Sequence, residues 1–144
     1  MHTNVIFRYS APFVTVTEEG GILSASGVDW FVRMLERLPE IAVDREPCQE
    51  DWGVVIFTRR RGRKFWVGLG AWPDRDQEWL AHFHHGSFAW LQRLSHSGKR
   101  ELRQLIYDTH AMLVGDPAVA VIGWYSEVEI LKADAVGSPA PDQS

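Results

Sequence analysis

"EDWGVVIFTRRRGRKFWVGLGAWPDRDQEW", residues 50–79, decides the fold of this chain. From Trp52 to Thr58 the side chains of Trp52, Val54 and Ile56 share one strand face, and Val55 and Phe57 take the other. The alternation resumes with Phe65, Val67 and Leu69 against Trp66. Two strands covered on both faces are therefore expected, paired antiparallel as a hairpin. Arg60, Arg61, Gly62 and Arg63 form its turn, with Gly62 supplying a left-handed backbone position at little steric cost.

The charges of the same stretch raise the first functional question. Arg59, Arg60, Arg61, Arg63 and Lys64 crowd the hairpin tip. Guanidinium groups bind phosphate in bidentate fashion, but cations at a hairpin tip also keep a sheet edge soluble. Fifteen Lys and Arg against nineteen Asp and Glu leave a net charge of −4 and favour the solvated tip. The same acidic balance, with a pI near 5.8, argues against nucleic acid as a ligand. Glu46, Glu50 and Asp51 before the hairpin, and Asp74, Asp76 and Glu78 after it, are expected near its opposite end. Three readings stand for them: ordinary surface, a negative patch that captures a basic protein partner, or a divalent-cation site. Their spacing matches no calcium loop.

Outward from the hairpin, residues 4–9 and 13–17 are β-prone and read as one interrupted strand or a short hairpin. "SGVD", residues 26–29, matches a capping box and starts a helix whose apolar side carries Trp30, Phe31, Met34, Leu35 and Leu38, with Pro39 as its stop. "EWLAHFHH", residues 78–85, reads as a strand; "SFAWLQRL" as one or two helical turns, broken by Ser95 to Gly98. A long helix follows with Leu102, Leu105, Ile106, Thr109, Met112 and Leu113 in one arc, and Gly115 as a left-handed C-cap. After Asp116-Pro117, residues 118–131 are strongly β-prone. The order predicts an α+β fold: a mainly antiparallel sheet with two principal helices packed on one face. One domain over 1–132 and a disordered, Pro-containing tail over 133–144 complete the expectation.

His82 and His84 share a strand face in the His-x-His spacing used by several metal sites, but further ligands are required and none is indicated. Hydrogen-bonded, half-buried imidazoles are the simpler reading, and His110 is a remote third candidate. Cys48 lacks a local active-site signature, Ser87 stands outside a nucleophile elbow, and "GLG" at 68–70 lacks the third glycine and helix of a dinucleotide fingerprint. The two glycines fit close packing within a strand instead. Nucleophilic catalysis has little support in these motifs, an enzyme of another kind stays open, and no cofactor is implied. Trp52, Trp66, Trp72, Trp79 and Trp90 fall within 39 residues, and one of those beside the acids is a candidate interface anchor. A single cysteine excludes an internal disulfide, and neither a signal peptide nor an eighteen-residue apolar run is present. A cytoplasmic location away from membranes is expected.

"EPCQEDWGVVIFTRRRGRKFWVGLGAW", residues 46–72, followed by "LRQLIYDTHAMLVGDPAVAVIGWYSE", residues 102–127, resembles small acidic bacterial immunity-type proteins encoded beside polymorphic toxins. The likeness lies in the acidic "EDWG" before a hairpin, the Asp-Pro after a long helix and the late tryptophan-bearing strand. It is general and carries no site residues over. It implies a cofactor-free protein that occludes a basic surface on a cognate toxin. The residues assigned to that contact are Glu50, Asp51, Asp74, Asp76 and Glu78, with Trp72 or Trp79 as anchor. Two alternatives stand beside it: a small metal-dependent enzyme using His82 and His84, and a homo-oligomer, such as a homodimer, paired through an edge strand at 119–130.

Overall fold

The computed structural model describes residues 1–10, 15–16, 22–24, 26–44, 46–71, 77–86, 96–132 and 134–142. The fold is α+β. Seven antiparallel strands form the main sheet: β1 (Asn4–Tyr9), β4 (Ile41–Val43), β5 (Cys48–Glu50), β6 (Gly53–Arg60), β7 (Arg63–Ala71), β8 (Glu78–His85) and β9 (Val119–Tyr125). Their order is β4-β6-β7-β8-β1-β9, with β5 beside β4 along β6. A separate two-stranded piece pairs β2 (Thr15–Val16) with β3 (Ile22–Ser24). Both helices, α1 (Ser26–Glu36) and α2 (His96–Gly115), lie on one face of the sheet.

That face holds the core. Phe31, Leu35, Leu105 and Ile106 from the helices meet Phe7, Ile56, Val67, Leu69 and Trp79 from the strands, all at 1% exposure or less. The expected hairpin is present, with Arg60 opposite Arg63 as its last pair. Its two turn residues, Arg61 at φ 47° and Gly62 at φ 75°, are both left-handed, the conformation whose twist matches the flanking strands.

The tip is not the solvated turn that composition suggested. Arg60 points to the helix face and is only 4% exposed. Its Nη1 lies 2.6 Å from Asp108 of α2, its Nε 3.5 Å from Glu101 and its Nη2 3.7 Å from Glu40. Glu101 is itself buried, with Arg61 and Arg100 each 3.5 Å away. Arg59 pairs with Asp44 at 3.0 Å, and Arg63 donates to Ser97 at 2.8 Å. The basic run is therefore largely consumed in fastening the hairpin to the start of α2 and to the turn before β4. Strand alternation explains the split: Arg59 and Lys64 face outward, Arg60 inward.

Other expectations are corrected. Trp52 does not open β6 on the core face but sits in the preceding turn, 47% exposed. The reason is Gly53, whose backbone runs so close to β7 that a Cβ would come within 2.2 Å of the Leu69 carbonyl. The hairpin is not covered on both faces, since Val55, Phe57 and Trp66 on its outer side are half-buried. α2 begins at His96, so Ser97 and Gly98, expected in a break, lie inside its first turn. Gly115 is not left-handed; α2 stops at Asp116-Pro117, where the Asp116 carboxylate accepts the Ala118 N–H at 2.9 Å. The strand expected over 119–130 ends at Tyr125. "SFAWLQRL" lies outside the described residues.

Within the tail, Ser138 and Asp142 are tied to the rest of the fold. Ser138 exchanges two backbone hydrogen bonds with Trp124, at 2.8 and 2.9 Å, along the outer edge of β9. Gly137 packs on Gly123 and the Tyr125 ring, where neither glycine has room for a Cβ. Tyr107 of α2 donates to the Asp142 carbonyl, while the Asp142 carboxylate meets His2 at 3.0 Å. These contacts are made by backbone, glycine and polar side chains, none of which hydropathy registers.

Candidate functional site

Of the residues assigned to a partner patch, the four described ones divide between surface and interior. Glu50 and Asp51 are exposed at the β5–β6 turn. Glu78 is 5% exposed, and Arg8 donates to its carboxylate through Nε at 3.2 Å and Nη2 at 2.8 Å. Trp79 is 1% exposed, ringed by Phe7, Tyr9 and Trp30 with centroids 5.5–6.2 Å away. Strand alternation placed it in the core, so it offers no free face as an anchor. Trp72, Asp74 and Asp76 lie outside the described residues.

A different constellation forms on the sheet face opposite the helices. Register places His82 across from Gly68 and His84 across from Trp66. Because Gly68 has no side chain, the His82 ring folds into the gap; a Cβ there would stand 1.8 Å from its Nε2 and 2.7 Å from the Trp52 ring. Gly70 likewise clears space beneath Trp52, whose carbonyl would lie 2.6 Å from its Cβ. Glycines two residues apart thus cut a notch in one face of β7, filled by an imidazole and capped by an indole.

The rings continue as a strip. His82 lies edge-on to Trp52 at 4.9 Å and to Trp66 at 5.3 Å between centroids. His84 stacks on Trp66 at 4.2 Å with 14° between the planes. The two imidazoles share a hydrogen bond of 3.2 Å between His84 Nε2 and His82 Nδ1, so one nitrogen donates and the other accepts. Beyond them Glu127, 71% exposed, brings its carboxylate 3.8 Å from His84 Nδ1. Burial, followed by the neighbouring His84, lowers the pKa of His82 to about 4, which keeps its ring neutral at pH 7.

This arrangement limits the chemistry. A neutral imidazole engaged by a second imidazole is not a free general base, and among the described residues no third His, Cys, Asp or Glu joins the pair to hold a metal ion. His110 stands apart, accepting at Nδ1 the indole N–H of Trp124 at 3.1 Å, and burial lowers its pKa. Cys48 lies half-buried on β5, opposite Val55. What the face offers is a flat surface of exposed indole, half-buried rings and polar nitrogens, with Glu50 and Asp51 at one end and Glu127 at the other. Trp52 and Trp66 were visible in the sequence as tryptophans, but only the alternate glycines of "GLG" signalled that a ring lies over β7.

Comparison of the chain with protein-family models, with curated proteins and with solved structures finds no match to any of them. No described helix is long and apolar enough to cross a membrane. Fold and site together define an α+β domain with helices on one face of its sheet and an aromatic, histidine-bearing surface on the other.

Proposed function

We propose that this chain is a non-catalytic protein-binding domain of the immunity type, which neutralises a cognate toxin by covering a basic surface. The observation that carries the reading is the outer sheet face, where Trp52 stands 47% exposed between the acids Glu50 and Asp51 and the ring strip leading to Glu127. Exposed tryptophan in a rigid setting is the commonest type of interface anchor, and carboxylates around it raise the rate of encounter with a basic partner. The contact therefore moves from the patch read in the sequence to Glu50, Asp51, Trp52, Trp66 and Glu127. Blocking by surface complementarity requires no nucleophile and no cofactor.

The test is co-purification with the product of an adjacent toxin-like gene, followed by titration against Trp52→Ala and Glu50→Lys/Asp51→Lys. Trp52→Ala should weaken binding by roughly 2 kcal/mol, about thirtyfold. The charge reversal should slow association at low salt and lose its effect at high salt. Affinity unchanged in both variants removes this face from the contact.

A further inference from the structure

Two strongly exposed apolar side chains stand on the turn that follows β9. Val128 and Leu131 are 68% and 85% exposed, among the highest values of the described large hydrophobic residues. They come directly after β9, the last strand in the sheet order. Adjacent apolar side chains left in water mark candidate contact sites.

The segment that presents them is built. The Ser126 amide donates to the Glu129 carboxylate at 2.8 Å, and the Glu129 amide donates to the Ser126 hydroxyl at 3.3 Å. This reciprocal pair, a capping box outside any long helix, closes a single turn completed by Ile130 N–H to the Ser126 carbonyl at 3.1 Å. The same contacts hold the Glu129 carboxyl below the usual carboxylate range, so the cap is charged at neutral pH. Three residues apart on one turn, Val128 and Leu131 stand side by side. A fixed turn loses little conformational freedom on binding.

From this we infer that residues 126–132 form a second contact element, an apolar knob that enters a basic-rimmed hollow on a protein partner. The inference rests on the reading of the chain as a protein-binding domain. Charge chooses the occupant: Glu127 and Glu129 against Lys132 leave the knob acidic, unfavourable toward an anionic lipid surface and toward a second copy of the same acidic chain. Position supports it as well, because Glu127 reaches His84 and makes the knob continuous with the ring strip.

A labelled amphipathic peptide of alternating Leu and Lys serves as probe, with oligolysine as the charge-only control, and binding is read by fluorescence anisotropy. Val128→Ser/Leu131→Ser removes apolar surface without altering charge; it should weaken the Leu/Lys peptide about tenfold and leave oligolysine unchanged. Val114→Ser, at a 61% exposed site on α2, should change neither. Equal binding by wild type and the double variant overturns the inference. So does a concentration-dependent dimer, seen by light scattering, that the double variant abolishes, or sedimentation of the wild type with phosphatidylserine vesicles. Loss of affinity in Trp52→Ala alone would leave the sheet-face reading standing and this one refuted; loss in the serine pair alone would do the reverse.

Discussion

Replacing Arg60 with Met tests whether the basic hairpin tip is a structural fastener. The substitution keeps an unbranched stem and removes a guanidinium that is 4% exposed and lies within 4 Å of three carboxylates: Asp108 at 2.6 Å, Glu101 at 3.5 Å and Glu40 at 3.7 Å. Removing one member of a buried ion pair costs about 3–5 kcal/mol, because the remaining charge stays desolvated. Here the lower end applies, since Glu101 keeps Arg61 and Arg100 at 3.5 Å and Asp108 keeps Gln104 at 2.9 Å. A loss of about 3 kcal/mol is expected, which at a urea slope of roughly 2 kcal/mol/M moves the unfolding midpoint down by about 1.5 M. Arg59→Ala is the comparison: Arg59 is 50% exposed and its bond to Asp44 is a surface pair, so it should cost at most about 1 kcal/mol. Neutralising the cluster together, Arg60→Met with Glu101→Gln and Asp108→Asn, should recover most of the single variant's loss. Equal midpoints for Arg60→Met and Arg59→Ala would mean that the tip is solvated after all.

The His82 ring ties stability to pH. Its pKa falls from 6.5 to about 4 on folding, so the native state disfavours the proton. The contribution is complete above pH 6.5 and is lost as pH falls toward 4; allowing for its contact with solvent, it amounts to about 1–2 kcal/mol. Urea midpoints of His82→Asn should fall less steeply than wild type across that window, and parallel curves would refute the assignment. Trp79→Ala should cost about 3–5 kcal/mol while Trp52→Ala costs under about 1, and thermal melts showing similar losses would contradict their burial. Truncation after Lys132 removes the Ser138 bonds to Trp124 and the contacts of Asp142, with an expected loss of about 2–4 kcal/mol. Hydrogen exchange at the Trp124 amide reports it, and unchanged protection would return the tail to the disordered class.

Much of the fold was legible because it depends on short-range periodicity. Alternation in residues 52–58 and 65–69 specified the hairpin and its turn, the apolar arc of 102–113 specified α2, and the β, α, β-rich, α, β order specified an α+β domain. The candidate site was less legible. Glu78 and Trp79 looked like surface residues because they border an acidic stretch, yet strand pairing turned Trp79 into the core and gave Glu78 to Arg8, 70 residues away in the chain. Trp52 looked like a core residue and became the most exposed ring of the outer face. The charge cluster at the hairpin tip showed its composition in the sequence but not its partners, since Glu40, Glu101 and Asp108 come from elements distant in the chain.

By itself, then, the sequence determined the central hairpin, the strand at 78–85 and the two principal helices, because those preferences are set by neighbours within a few residues. Only the tertiary structure decided that Arg60 turns inward to meet three carboxylates, that a glycine notch draws His82 beneath Trp52, and that the last described residues bind the sheet edge. Those outcomes depend on register between strands and on contacts across many residues, where a shift of one position moves a side chain from the core to the surface.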